Sequence, residues 1–179
     1  MDAHHIKLFR EKLKSDKENS TLRGQFHQQY EWLEAYWNER YKNNLLDRFS
    51  DEFGDFYWSI EEIKGLAHIF AMYPPVGSSN LRFEPSTTIK RATFHLRYFS
   101  NVLEESFPEV ENDKEIGEEW KKSSFNALLT IIKQIRDNLF HGKKMELAED
   151  QYQRNKELVG FGVEFTTLVL DRLEEVEGR

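Results

Sequence analysis

A chain of 179 residues has the size of a single domain with one hydrophobic core. The absence of cysteine excludes a disulfide framework, a thiolate zinc site and a cysteine nucleophile, and a net charge of −7 argues against broad coating of nucleic acid. Aromatic residues at 14% argue against disorder, and only four Pro and nine Gly favour long helices over a turn-rich β-protein.

The N-terminal residues Met1-Asp2-Ala3-His4-His5 carry no apolar leader core, and the apolar runs fall short of a membrane span. The expectation is a cytoplasmic protein with no membrane partner. Residues 4–14 place Ile6, Phe9 and Leu13 at spacings of three and four, which predicts a short amphipathic helix. Ser15 to Gly24 is polar and reads as a connection, so residues 1–24 form an N-terminal helix and linker extension of one domain, 1–179. From Gln25 to Phe49 the series Phe26, Tyr30, Leu33, Trp37, Tyr41, Leu45 and Phe49 keeps to one helical face for about seven turns. Trp32 and Tyr36 widen that stripe.

Ser50 to Trp58 reads as a break around Gly54, and Ser59-Ile60-Glu61-Glu62 has the form of a capping box, with Trp58 stapled onto Ile63. The helix it opens carries Ile63, Leu66, Ala67 and Phe70 and stops at Pro74-Pro75. Val76 to Pro85 is a loop. Ser86 or Thr87 caps a helix striped by Ile89, Ala92, Leu96, Phe99 and Leu103, which ends near Phe107-Pro108. An acidic connection, Glu109 to Glu119, leads to a helix with Trp120, Phe125, Leu128, Ile132, Ile135 and Leu139. The last helix, roughly Glu146 to Val176, carries Leu158, Phe161, Phe165, Leu168, Leu173 and Val176. No repeat and no period-two strand interrupts the pattern. The expected fold is all-α, an antiparallel bundle of about five to six helices.

Chemistry concentrates in Ile135-Arg136-Asp137-Asn138-Leu139-Phe140-His141-Gly142-Lys143-Lys144. Counting Lys133, Arg136, Lys143 and Lys144 against Asp137 leaves about +3 on an acidic chain, which points to an anionic ligand. Arg136 and His141 stand five positions apart, about 140° on an unbroken helix, so they converge only if the helix ends between them or each meets a second copy of the chain. Gly142 supplies a stop, which leaves His141 on the last turn, where the helix dipole favours the imidazolium. A guanidinium can hold a phosphate in bidentate fashion and an imidazole can move a proton on or off oxygen, so the pair suits phosphodiester chemistry.

The string IRDNLFHGKK at the end of a long helix, followed by another long amphipathic helix, resembles the HEPN superfamily, whose motif is Arg, a polar residue, a few more residues and His, often within Leu-Phe-His-Gly. The resemblance is specific over Ile132 to Lys144 and looser over the closing helix, where Arg154-Asn155-Lys156-Glu157-Leu158 is similar to a family-typical stretch. It implies a metal-independent endoribonuclease that cleaves RNA through its 2′-OH at a site shared by a homodimer. Carried onto this sequence, Arg136 binds and polarises the phosphate, His141 acts as general acid/base, and Asp137 orients His141 or the partner's Arg136. Asn138, Lys143 and Lys144 are candidate phosphate contacts. Many family members belong to toxin–antitoxin, phage-defence or RNA-processing systems, which makes an antitoxin or regulatory protein an expected partner. Others have lost activity and serve as binding modules, the alternative reading, and a plain helical adaptor is a third.

Other candidates read as structure. Lys90, Arg91, His95, Arg97 and Tyr98 suit a charged outer face, and Glu61-Glu62, Glu104-Glu105 and Glu118-Glu119 suit solvated surface. His4-His5, His27 and His68 show no metal-ligand spacing, so neither metal nor cofactor is expected. The Trp and Tyr residues between 30 and 58 look like core.

Overall fold

The computed structural model describes residues 3–72, 124–140 and 149–177. These lie in six helices and the short links between them: α1 (Ala3–Ser15), α2 (Lys17–Arg40), α3 (Leu45–Trp58), α4 (Glu61–Met72), α5 (Ser124–Phe140) and α6 (Glu149–Glu177). The protein is all-α, and no strand occurs among the described residues. None of these helices is long and apolar enough to cross a membrane. The chain divides into two compact units. The first draws on Met1–Ala35 and Ile135–Arg179, the second on Tyr36–Gln134.

In the first unit, Asp16 alone separates α1 from α2. Its carboxylate accepts the Asn19 backbone N–H at 3.0 Å, an N-terminal cap that ends one helix and opens the next. The chain doubles back there, so that Arg23 on α2 lies over the Phe9 ring on α1, 5.6 Å from its centroid. Beside this hairpin α6 runs in the same direction as α2. Lys156 Nζ donates to Glu18 at 2.6 Å, Gly162 faces the Phe26 ring, and Thr166 Oγ1 donates to Gln29 Oε1 at 2.7 Å. Of the buried positions of α6, Tyr152, Asn155, Val159, Gly162, Thr166, Val169 and Leu173 recur at three and four, a coiled-coil-like seam, and Phe165 is buried beside it. This face differs in part from the expected one: Phe165 and Leu173 are buried as expected, but Leu158, Phe161, Leu168 and Val176 are only half-buried.

Asp16 also accepts from Tyr152 Oη at 3.2 Å and from Lys156 at 3.4 Å. The Asn19 backbone N–H, outweighing burial and joined by the bonds from Lys156 and Tyr152, holds its carboxyl below the usual carboxylate range. A depressed folded-state pKa contributes stability that is fully present above the unfolded value, about 3.9, and is lost as pH falls through the folded one. Asp16→Ala is therefore expected to cost about 1 kcal/mol at pH 7. In urea melts taken across pH, the gap from the parent should close as the pH drops below about 4.

In the second unit the core is aromatic. Phe49 touches Trp37, Phe53, Tyr57 and Phe125, with ring centroids 5.2–6.0 Å apart, and Tyr57 stacks on Phe125 at 4.9 Å and 12°. Ile63, Leu66 and Phe70 of α4 and Leu128, Ile131 and Ile132 of α5 are buried. Glu52 accepts from Arg40 and, at 2.5 Å, from Tyr41 Oη, while the Arg40 guanidinium lies 5.4 Å from the Phe53 centroid. The Arg40 hydrogen bond, against burial and with the Tyr41 bond adding, holds the Glu52 carboxyl low.

Three boundaries differ from the sequence reading. The expected connection over Ser15 to Gly24 is mostly the opening of α2, because Asp16 makes the whole turn. The expected seven-turn helix from Gln25 to Phe49 ends at Arg40 and resumes at Leu45, with Asn44 left-handed at φ 51°. Ser50 to Trp58, expected to break, is the larger part of α3. The capping box does not form: Ser59 Oγ donates to the Phe56 carbonyl at 2.6 Å and closes α3, while the Ile60 carbonyl accepts the Lys64 N–H and opens α4. The expected Pro74-Pro75 stop, the 76–85 loop, the Ser86 helix and the 109–119 connection lie outside the described residues.

Candidate functional site

Buried Ile131, Ile132 and Ile135 fix one side of α5, and that anchoring sets the direction of Arg136. Arg136 sits four residues before the end of α5 at Phe140. Its Nη2 donates to Glu34 Oε2 at 2.9 Å and its Nη1 to Asp137 Oδ1 at 3.0 Å. The guanidinium lies over the Tyr30 ring, 5.3 Å from the centroid, and its Nε is buried with no hydrogen-bond partner among the described residues. All four residues belong to the first unit.

The cluster is partly open to solvent. The side chains of Arg136, Asp137 and Glu34 are 18%, 23% and 32% exposed. Burial alone would lower the guanidinium pKa, but the Asp137 hydrogen bond and the charges of Glu34 and Asp137 outweigh it, and the net shift is upward. Arg136 is a permanent cation. Burial, with Glu34 and Asp137 adding, pushes the Tyr30 phenol well above its ordinary range, so it stays neutral beneath the guanidinium. One guanidinium between two carboxylates leaves the cluster one negative charge in excess.

Of the residues singled out in the sequence, Arg136 and Asp137 are brought into direct contact. Asn138 is half-buried on the same turn of α5. His141, Lys143 and Lys144 lie outside the described residues. The sequence reading missed Glu34 and placed Tyr30 only in the core stripe. Tyr30 and Glu34 are one helical turn apart on α2, which is how both reach the same guanidinium. That spacing was visible in the sequence, but their partner lies 102 positions away from Glu34.

A row of exposed cations lies in the same unit. Lys7, Arg10 and Lys14 are exposed on α1 at spacings of three and four, one stripe of the helix that also holds the exposed Glu11, and Lys17 is exposed next to Glu18 at the start of α2. Lys12, on the same helix, is instead turned inward to Glu149 at 2.7 Å and over the Tyr152 ring. Among the described residues, no group of three His, Asp or Glu side chains is placed to hold a metal ion.

No protein-family model matches this chain, and neither the curated proteins nor the solved structures contain a match to it.

Proposed function

We propose that this protein is a metal-independent, HEPN-type endoribonuclease that works as a homodimer in the cytoplasm, as a toxin or phage-defence component held in check by an antitoxin or regulatory protein. The string Ile135 to Lys144 at the end of an apolar-anchored helix carries the proposal. A charged, partly exposed Arg136 next to Asp137 supports it. The exposed Lys7, Arg10, Lys14 and Lys17 add four cations against the exposed Glu11 and Glu18, a modest positive excess toward a polyanion.

In this reading Arg136 holds a non-bridging phosphate oxygen and stabilises the charge that builds up as the 2′-oxygen attacks. One His141 imidazole takes the 2′-OH proton as the new P–O bond forms. The His141 of the second copy, as imidazolium, protonates the departing 5′-oxygen as its bond to phosphorus breaks. The products are a 2′,3′-cyclic phosphate and a 5′-hydroxyl. Asp137 orients the imidazole or the guanidinium, and Asn138, Lys143 and Lys144 contact flanking phosphates.

Purified protein in EDTA is expected to cut RNA to cyclic-phosphate ends, and His141→Ala to lower the rate by about 10²–10⁴-fold at unchanged melting temperature. Absence of cleavage by the parent, or a His141→Ala protein as active as the parent, would refute the nuclease assignment. A second reading draws on one observation: Glu34 and Asp137 already occupy the guanidinium. On that reading the chain is a non-catalytic HEPN-like module that binds a nucleotide or a protein partner without turnover.

A further inference from the structure

The two terminal nitrogens of Arg136 each carry a carboxylate, and they are not equivalent. Asp137 is the neighbour of Arg136 in sequence and moves with it on α5. Glu34 comes from α2, is the more exposed of the two at 32%, and meets Arg136 through a single 2.9 Å contact. The third nitrogen, Nε, is buried. A phosphate approaching the outer edge of the guanidinium therefore finds that edge occupied and the local charge already negative. Bidentate capture, the geometry for which arginine is suited, requires a carboxylate to leave. Glu34 is the one able to swing into water without disturbing α5, because its own backbone is held by the buried Tyr30 and Leu33 beside it.

We propose that Glu34 is an internal competitor of the phosphodiester: it occupies Arg136 in the resting protein and must be displaced before RNA is bound there. This regulation rests on the reading of Arg136 as a phosphate ligand, but it does not require turnover. Glu34 is thus a regulatory residue, and its role differs in sign from a structural one. A structural ion pair loses stability and function together when broken. A competitor, once neutralised, gives tighter binding to the group it had shielded. Glu34→Gln is the informative change, since it keeps the length and an oxygen acceptor while removing the charge.

The test uses the full chain and a 2′-O-methyl oligonucleotide, which lacks the attacking hydroxyl and reports binding alone. Glu34→Gln is expected to lower its Kd by roughly tenfold, within the usual range of coupling between sites. The gain should vanish when Arg136→Ala is added. Glu34→Asp, which keeps the charge and shortens the reach, should fall between the parent and Glu34→Gln and provides a second measurement should the glutamine variant prove unstable. Unchanged or weaker binding by folded Glu34→Gln, or a gain that persists without Arg136, overturns the proposal. Cleavage of ordinary RNA by the parent separates the two claims. Tighter binding without any cleavage leaves Glu34 as a competitor and removes the nuclease. Cleavage with unaltered binding does the reverse.

Discussion

Gly162→Ala is expected to destabilise the protein while Gly160→Ala, two residues earlier on the same helix, stabilises it. A Cβ on Gly162 would stand 2.6, 2.7 and 2.9 Å from Cζ, Cε2 and Cε1 of Phe26. Phe26 is fully buried and packs edge-on against Tyr30 with centroids 6.1 Å apart, so its ring has nowhere to retreat. Overpacking of this kind costs about 1–3 kcal/mol, against a helix-propensity gain of at most about 1 kcal/mol. With three contacts under 3.0 Å the cost falls in the upper part of that range. The net is a loss of about 1–2 kcal/mol, or a drop in melting temperature of roughly 3–6 °C for a chain of this length. Gly162→Leu should lose about 3 kcal/mol or more. At Gly160 no heavy atom lies within 4 Å of the added Cβ among the described residues, so only the propensity gain remains, roughly 2–4 °C upward. A double mutant gives the decisive comparison. Phe26→Leu alone opens the seam, but in the Gly162→Ala background it makes room for the methyl group, so the double variant should lose less than the sum of the two. Simple additivity would show that α2 and α6 do not meet at this point.

The same seam explains where the sequence was legible and where it was not. Fold class followed from stripes of large apolar residues, and those stripes are real: Phe26, Tyr30, Leu33 and Trp37 are all buried on α2. On α6 the large residues were only a partial guide: Phe165 and Leu173 are buried as expected, but the buried face also includes Asn155, Gly162 and Thr166. Gly162 is there to admit a ring. Thr166 is fully buried because its hydroxyl donates to Gln29 at 2.7 Å and lies 2.9 Å from the Gly162 carbonyl oxygen. Neither fact is visible in a count of hydrophobic side chains. The break between α2 and α3 was hidden for a related reason. Tyr41, Leu45 and Phe49 continue the α2 stripe across it, and the turn rests on one left-handed Asn44 without Gly or Pro. Ser59 carried an apparent start signal, yet its hydroxyl reaches back to a carbonyl and serves a helix end. At the candidate site Arg136 and Asp137 were legible because a local string announces them. Glu34 was not, since nothing in its own neighbourhood distinguishes an acid facing a guanidinium from one facing water.

Arg136→Lys and Arg136→Ala are expected to separate stability from chemistry. Lysine leaves a cation between Glu34 and Asp137 and over the Tyr30 ring, so it should cost about 1 kcal/mol or less. Alanine leaves two carboxylates side by side and uncovers the ring. Losing one partner of a fully buried pair costs about 3–5 kcal/mol, but these side chains are 18–32% exposed, which brings the expectation to about 2 kcal/mol. Activity should not follow that order. A lysine ammonium is a point charge and cannot take two phosphate oxygens in the planar fork of a guanidinium. On the proposed nuclease reading, RNA cleavage is therefore expected to fall by about 10²-fold or more in both variants, measured well below either melting temperature. Under the reading in which Arg136 only ties α5 to α2, the lysine protein would behave like the parent in every assay and only the alanine protein would suffer. The lysine variant is the sharper of the two, because it preserves the ion pair seen in the structure and removes only the geometry that phosphate recognition requires.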